Sequence, residues 1–339
     1  MQYICRNELY TPHWCCFEME PKALDPGLWS RKYTMRTKNI KQKGHSEDFF
    51  GSYRDFWWNK SFLNILAKRL QLDKHYDMLD VGCGQCHWSK LLADYLGKPA
   101  RIYGVDNDRK WSKGEEQIST YFKNAGIEFE LKKGDANKLP YDDCQFDLVT
   151  CQTLLIHVQY PNDVIREMKR VLKPGGTILC VEPNNLVQSL TKSSVSMNDP
   201  IEEVLDHVKY ALLFERGKKK LGLGDNSLGD LVPGFLSQAG FENVEVRLSD
   251  KAIAMYPPYN TDEQVATMKQ WQNGNTWSNE QFTDYDYFRA MGKDSLDFFE
   301  SYQRKYAHLS ERMLRNIDAN KYHSAGGAMM YVISATKPL

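Results

Sequence analysis

Between about residue 77 and residue 182 the chain alternates short apolar runs with amphipathic stretches, and this rhythm narrows the fold more than any other feature. Met78–Val81 is an apolar run that ends in a glycine turn, and His87–Leu96 sets Trp88, Leu91, Leu92, Tyr95 and Leu96 at helical spacing. Arg101–Val105 is strand-like and ends at Asp106, Lys110–Asn124 suits a helix, and Ile127–Leu131 and Phe146–Cys151 are further strands. Val164, Met168, Val171 and Leu172 mark a helix that Pro174-Gly175-Gly176 stops, and Thr177–Val181 follows as a fifth strand. Strands joined through helices of this length close by right-handed crossovers. The expectation is an α/β fold with a mostly parallel sheet and helices on both faces.

After residue 182 the rhythm changes. Asp199-Pro200 reads as a helix start, followed by an apolar stripe of Ile201, Val204, Leu205, Val208, Ala211 and Leu212. Leu228–Ala239 reads as another helix, feeding a strand at Val244–Leu248. Leu296, Phe299, Tyr302, Tyr306, Leu309 and Met313 suit one long helix capped by Asp294 or Ser295, ahead of a last strand at Met329–Ala335. The first fifty-odd residues are aromatic and irregular, with a basic stretch from Arg31 to Lys43 that holds no acidic residue. That stretch and Lys218-Lys219-Lys220 read as solvated faces before they read as a nucleic-acid footprint.

The 339 residues, 42% hydrophobic and 26% charged, suit an ordinary globular chain that can bury a full core. Forty-four basic and forty-four acidic side chains cancel, so no global field draws the protein to nucleic acid or to an anionic membrane. No segment offers ~18 uncharged apolar residues, and the N-terminus lacks a basic region followed by an apolar run. A soluble, cytoplasmic protein is expected, with no membrane partner and with its eight cysteines reduced.

The stretch LDVGCGQCHW, residues 79–88, reads in two incompatible ways. Cys83-Gly84-Gln85-Cys86-His87 matches the C-x-x-C-H pattern of covalent haem attachment and contains the C-x-x-C of thiol redox proteins. Read from its glycines, it is a strand, a tight turn and a helix start, the arrangement that binds nucleotides at the carboxyl edge of a doubly wound sheet. The dinucleotide fingerprint G-x-G-x-x-G fails, because the third residue after Gly84 is His87. Acidic residues at strand ends strengthen the nucleotide reading. Asp106 closes the second strand in GVDND, where a carboxylate can accept from both ribose hydroxyls; Asp135 follows the third strand, and Asp147 opens the fourth.

LDVGCGQCHW, GVDND, GDANKLPYDDCQFDLVTC and VLKPGGTILCVEP, in this order and spacing, resemble a class I S-adenosylmethionine-dependent methyltransferase of the broad "type 11" small-molecule branch. The resemblance covers roughly residues 54–250 and the final strand. It implies a Rossmann-like seven-stranded sheet, with a sixth parallel strand, a last antiparallel strand and helical lid insertions. The segments would be an N-terminal cover over 1–53, a core over 54–250 with a lid insertion at 186–227, a helical cap over 251–327 and the final strand over 328–339.

The implied cofactor is S-adenosylmethionine. Gly82, Gly84 and their loop, with Asp80 before them, would lie against its methionine part. Asp106, beside Asn107, would hold the ribose; Asp135 and the Ala136 backbone would read the adenine edge. Gln152 and Thr153 would flank the sulfonium, and Arg54 would meet the carboxylate. Cys86 departs from the usual third small residue of the loop, so the helix must accommodate a thiol there.

For catalysis the candidates are His157, as a general base or a packing residue, and Glu182, which with Asn184 and Asn185 either orients a nucleophile or makes a plain turn. Tyr210 and Tyr256, in the aromatic-rich lids, are candidate substrate contacts. Pro257-Pro258-Tyr259 lies outside the place where amino-group methyltransferases carry a similar motif, and Thr150-Cys151 predicts a buried thiol. No metal site with convincing ligand spacing appears. The expected activity is methyl transfer to an N, O or C centre of a small or medium-sized molecule. The alternatives are modification of tRNA or protein, and a silent cofactor-binding sensor or scaffold.

Overall fold

The structure, a computed structural model, describes residues 54, 56–107, 115–272, 282–326 and 329–339. The basic stretch 31–43 and the expected N-terminal cover lie outside the described residues. Seven strands form one sheet: β1 (Asp77–Val81), β2 (Arg101–Asp106), β3 (Glu128–Lys133), β4 (Phe146–Gln152), β5 (Leu172–Asn184), β6 (Glu242–Leu248) and β7 (Met329–Thr336), in the order β3-β2-β1-β4-β5-β7-β6. β1, β2, β3, β4 and β5 pair in parallel, and β7 runs antiparallel between β5 and β6. β1 is buried along its whole length, as a strand covered on both faces must be. The order reverses between β2 and β4 across β1, so the crevice for a ligand opens where β1 ends.

Several element boundaries differ from the sequence reading. β5 begins at Leu172 and takes in Pro174-Gly175-Gly176, because this segment pairs with the chain beyond β7: the Gly175 amide donates to the Lys337 carbonyl at 2.8 Å and the Lys337 amide to Gly176 at 3.0 Å. α4 (Pro161–Val171) therefore ends directly against the strand. The Leu228–Ala239 helix starts with a single 3-10 turn at Gly229–Leu231 and becomes α6 at Val232–Gln238, where Pro233 occupies the first turn, whose amides need no helical partner. The single long helix divides into α9 (Lys293–Tyr306) and α10 (Leu309–Asp318), and Gly292, not Asp294 or Ser295, precedes the first of them. Two cores meet near the break. Tyr302, Tyr306 and Leu309 pack with Tyr210 and Phe288, whereas Met313 packs with Met255, Tyr259 and Tyr322.

The buried face of α5 (Ile201–Lys220) is rotated from the expected stripe. His207, Tyr210, Ala211, Phe214, Gly217 and Lys218 point inward, while Ile201 and Leu205 stand 73% and 60% exposed. The partner helix α8 (Asp284–Met291) imposes this choice: a Cβ on Gly217 would stand 2.1 Å from the Tyr287 carbonyl oxygen, so only glycine lets the two backbones meet.

At the amino edge of the sheet, Asp147 accepts from the Tyr76 and Asp77 amides at 3.0–3.1 Å. Asp77 pairs with Arg101 at 2.6 Å and Lys173 at 3.1 Å. Burial opposes ionisation of Asp77, but these two cations outweigh it and hold the carboxyl below its usual range. Asp147 thus ties β1 to β4 at the far end from the ligand crevice.

Candidate functional site

The loop after β1 is pinned to the end of β2. The Gly82 and Cys83 amides donate to the Val105 carbonyl at 2.8 and 3.2 Å, and the Gly84 amide donates to Asp106 Oδ2 at 2.9 Å. Gly82 has φ +71°, and a Cβ there would meet Leu154 Cδ1 at 2.7 Å, so backbone conformation and space both require glycine. Asp80 is buried and accepts from Ser89 Oγ at 2.5 Å, which holds the first turns of α2 (His87–Ala93) to β1. Trp88 Nε1 donates to Thr150 Oγ1 at 2.8 Å and ties the same helix to β4.

Cys86, the departure from a small residue, sits in left-handed backbone with φ +60° and is fully buried. The loop accommodates the thiol by closing on it: the Cys86 amide donates to the Cys83 carbonyl at 2.7 Å. Both cysteines are free and buried, and burial, with Cys86 beside it, pushes the Cys83 thiol well above its ordinary range. A redox pair needs an accessible sulfur with thiolate character, and haem attachment needs exposed sulfurs. Neither parse of C-x-x-C-H fits this geometry.

The sequence-predicted cofactor residues differ in how closely they meet the loop. Gly84 and Asp106 are in direct contact, Gly82 is bonded to Val105 just before Asp106, and Thr153, next to the Leu154 packed over Gly82, closes the β4 side. Thr153 is β-branched yet holds φ +53°, an uncommon conformation maintained by the hydrogen bond that its backbone N–H donates to the Val181 carbonyl at 2.8 Å. Gln152 is 6% exposed, and its Nε2 finds no hydrogen-bond partner among the described residues. A buried amide nitrogen at the strand end is the group that a polar ligand would satisfy. Asn107 and Asp135 are exposed at neighbouring strand ends, and Ala136 is half-buried. Asp135 Oδ1 accepts from both Asn137 nitrogens at 2.9 Å, a turn that orients the carboxyl group. Arg54 is buried with its guanidinium carbon 4.9 Å from the Trp57 ring centre. The glycine cradle, the strand-end carboxylate and the orphan amide fit S-adenosylmethionine.

Glu182 is fully buried and works from behind the site. Its Oε1 accepts from the Leu154 and Leu155 amides at 3.0 and 2.8 Å, while Oε2 has no hydrogen-bond partner among the described residues. Burial pushes its carboxyl up to about 7 against the opposing amides of Leu155, Leu154 and Ile156. It holds the Thr153–His157 turn in place. The neighbouring Cys151 is buried, and its thiol is pushed well up beside Cys180 and by burial.

Asn184 and Asn185 both serve the scaffold. Asn184 Oδ1 accepts from the Leu186 amide at 3.1 Å, and its Nδ2 donates to Asp230 at 3.2 Å. Asn185 Nδ2 donates to the Asn226 carbonyl at 2.6 Å, and its Oδ1 accepts from Gln188 at 2.9 Å. Tyr210 lies in the cap core and donates to Asp284 at 3.0 Å, whereas Tyr256 is 54% exposed. The side-chain hydrogen bonds of Asn184, Asn185 and Tyr210 are thus made to the scaffold and the cap.

A polar latch over the β4–β5 edge escaped the sequence reading. Lys218, read there as part of a solvated run, is 4% exposed. Its Nζ donates to the Ile156 carbonyl at 3.2 Å and to Asn226 Oδ1, and lies 3.4 Å from His157 Nδ1. Ser227 Oγ accepts from the Asn185 and Leu186 amides at 3.0 and 2.9 Å and donates to Glu215 at 2.6 Å. The spacing Ala211, Phe214, Lys218 holds the signal: the lysine falls on the apolar stripe, while Lys219 and Lys220 do not.

A family model described as "Methyltransferase domain" matches residues 72–226. The demethylmenaquinone methyltransferase of Staphylococcus epidermidis is 30% identical over 222 residues, which cover 64% of this chain and 88% of that protein. Those of Bacillus subtilis and Anoxybacillus flavithermus are 34% and 37% identical over 137 and 127 residues, covering 40% and 37% of this chain. In these two the match spans only 57% and 50% of the relative's own length. Together with the sheet order and the β1 loop, these matches make the chain a member of the class I S-adenosylmethionine-dependent methyltransferases, in the type 11-like branch.

Proposed function

We propose that this protein transfers a methyl group from S-adenosylmethionine to an N, O or C centre of a small or medium-sized molecule. The observation that carries the reading is the contact between the Gly84 amide and Asp106 at the crevice end of β1 and β2. When bound, the cofactor supplies a methyl group already activated on a positive sulfur. Asp106 would accept from the ribose hydroxyls, with Asn107 beside it. The Gly82–Gly84 backbone would cradle the methionine part, and Gln152 and Thr153 would face the reacting end. Asp135 and Ala136 would read the adenine, and Arg54 the carboxylate.

With the leaving group activated, the protein's main tasks are alignment and exclusion of water. The latch of Lys218, Asn226, Ser227 and Glu215 suits the second task, since it seals the lid onto the β4–β5 edge. Glu182 is a positioning residue in this scheme, because its accepting oxygen is committed to two backbone amides. His157 is half-buried. Lysine offers only donors, so His157 Nδ1 serves as an acceptor toward Lys218, which fixes the ring beside the β4 end.

The names of the curated relatives give demethylmenaquinone as methyl acceptor, and a non-polymeric acceptor is the reading favoured here. No helix among the described residues is long and apolar enough to cross a membrane. We place the protein in the cytoplasm, where the five free cysteines among the described residues would stay reduced.

Incubating the purified protein with methyl-labelled cofactor and a cell extract separated into metabolite, RNA and protein fractions tests the proposal. The expected result is label in the metabolite fraction with formation of S-adenosylhomocysteine. Label confined to RNA or protein would move the acceptor to a macromolecule, and cofactor binding without turnover in any fraction would point to a sensor.

A further inference from the structure

We propose that Asp199, Glu203 and His207 form a site for one divalent transition-metal ion, of the zinc or manganese kind, at the amino end of α5. Glu203 and His207 are four apart, on one side of α5, and Asp199 stands two residues before the helix begins. One ligand atom from each lies within 4.8 Å of the others. The side chains are withdrawn from solvent, with exposures of 8% for Asp199, 18% for Glu203 and 3% for His207.

Two independent features single this cluster out from an ordinary acidic surface. The first is the imidazole, which is held from outside the cluster: Tyr302 of α9 stands 2.7 Å from Nδ1, which leaves Nε2 as the ring atom on the Glu203 side. Metal-binding histidines are oriented in this way, with the second nitrogen engaged by a fixed partner. The second is Glu203 Oε1, which is buried and takes no hydrogen bond from any described residue. It faces His207 Nε2 at 3.9 Å, too far for a hydrogen bond. Ligands bonded at ~2.0–2.2 Å to one ion stand about 3–3.5 Å apart, so closing the His207–Glu203 pair takes a contraction of roughly half an ångström, and drawing in the whole set, spread over at most 4.8 Å, takes up to about 1.5 Å of side-chain movement.

The surrounding charges leave room for a cation. Lys305 and Tyr306 engage Asp206, on the neighbouring turn, at 2.8 and 2.7 Å. Arg312 is the rival occupant: it reaches Asp199 Oδ1 at 3.5 Å and is anchored on the Val195 carbonyl. It supplies one positive charge against two carboxylates. One nitrogen and two carboxylate oxygens suit zinc or manganese better than a thiolate-seeking ion or one that takes oxygen ligands alone. Through Tyr302 such an ion would brace the start of α5 against α9, so its role is to staple the cap.

The test titrates tag-free, chelator-treated protein with Mn2+, followed by loss of the free-ion electron paramagnetic resonance signal, and with Zn2+ after thiol blocking, followed by the thermal midpoint. One ion per chain and a raised midpoint are expected, with Glu203→Gln weakening binding at least about tenfold and abolishing the midpoint shift. Glu203 accepts no hydrogen bond at Oε1, so the amide should fold; should it not, Asp199→Asn carries the same readout. Equal affinity in wild type and variant, or no binding of either ion below about 1 mM, overturns the proposal and leaves Arg312 as the counter-charge.

Discussion

Asp106→Ala is expected to weaken S-adenosylmethionine binding at least about a hundredfold in a calorimetric titration. A carboxylate accepting from two ribose hydroxyls makes charge-assisted hydrogen bonds, each worth about 1.5–3 kcal/mol, and a hundredfold loss corresponds to about 2.7 kcal/mol. The substitution also removes the acceptor of the Gly84 amide, so the loop loses its fastening to β2 at the same time. Asp147→Ala is the matched control. That carboxylate caps amides at the opposite edge of the sheet, and its loss should lower stability while leaving cofactor affinity unchanged. Undiminished affinity in Asp106→Ala would remove the ribose contact from the account.

Stability is expected to fall as pH rises from about 5 to 8.5, on the order of a few kcal/mol in urea unfolding. Two buried carboxyls drive this. Burial raises Glu182 to about 7 against the amides of the 154–156 turn. Burial also raises Glu215 to about 8, with the Ser227 hydroxyl opposing and Asp225 adding to the rise. Both folded values exceed the unfolded one, so the folded chain binds these protons more tightly. Their contribution is fully present below the unfolded value of about 4.3 and is lost as pH climbs through 7 and then 8, at up to about 1.4 kcal/mol per pH unit for each group. Glu182→Gln and Glu215→Gln keep an acceptor for their donors and cannot ionise. Each should flatten the slope, Glu182→Gln below pH 7 and Glu215→Gln up to 8. A wild-type profile that is level or rises over this range, or variants with an unchanged slope, would contradict the assignment.

The parts of this molecule that were legible in the sequence are those set by local chemistry. The run from Met78 to Val81, the glycines after it and the helix from His87 form one strand-turn-helix unit whose signals lie within twenty residues. Asp106 was legible for the same reason: it ends a strand, and strand ends of a parallel sheet share an edge. What failed depended on contacts from distant segments. The inward face of α5 is chosen by α8 and α9, which come some seventy residues later, so Ile201 and Leu205 looked buried and Lys218 looked solvated. Asn185 reads as a turn residue until the 221–228 segment folds back to meet it. Asp199, Glu203 and His207 carry helical spacing in the sequence, yet their convergence becomes visible only with Tyr302 fixed across from the imidazole.

The most direct measurement is a crystal structure of the protein bound to S-adenosylhomocysteine. Both ribose hydroxyls are expected within about 3.2 Å of the Asp106 carboxylate, with the amino-acid end of the ligand against the Gly82–Gly84 bend. Ligand density at the Asp77–Asp147 edge, or in the crevice with Asp106 turned away from the sugar, would contradict this placement.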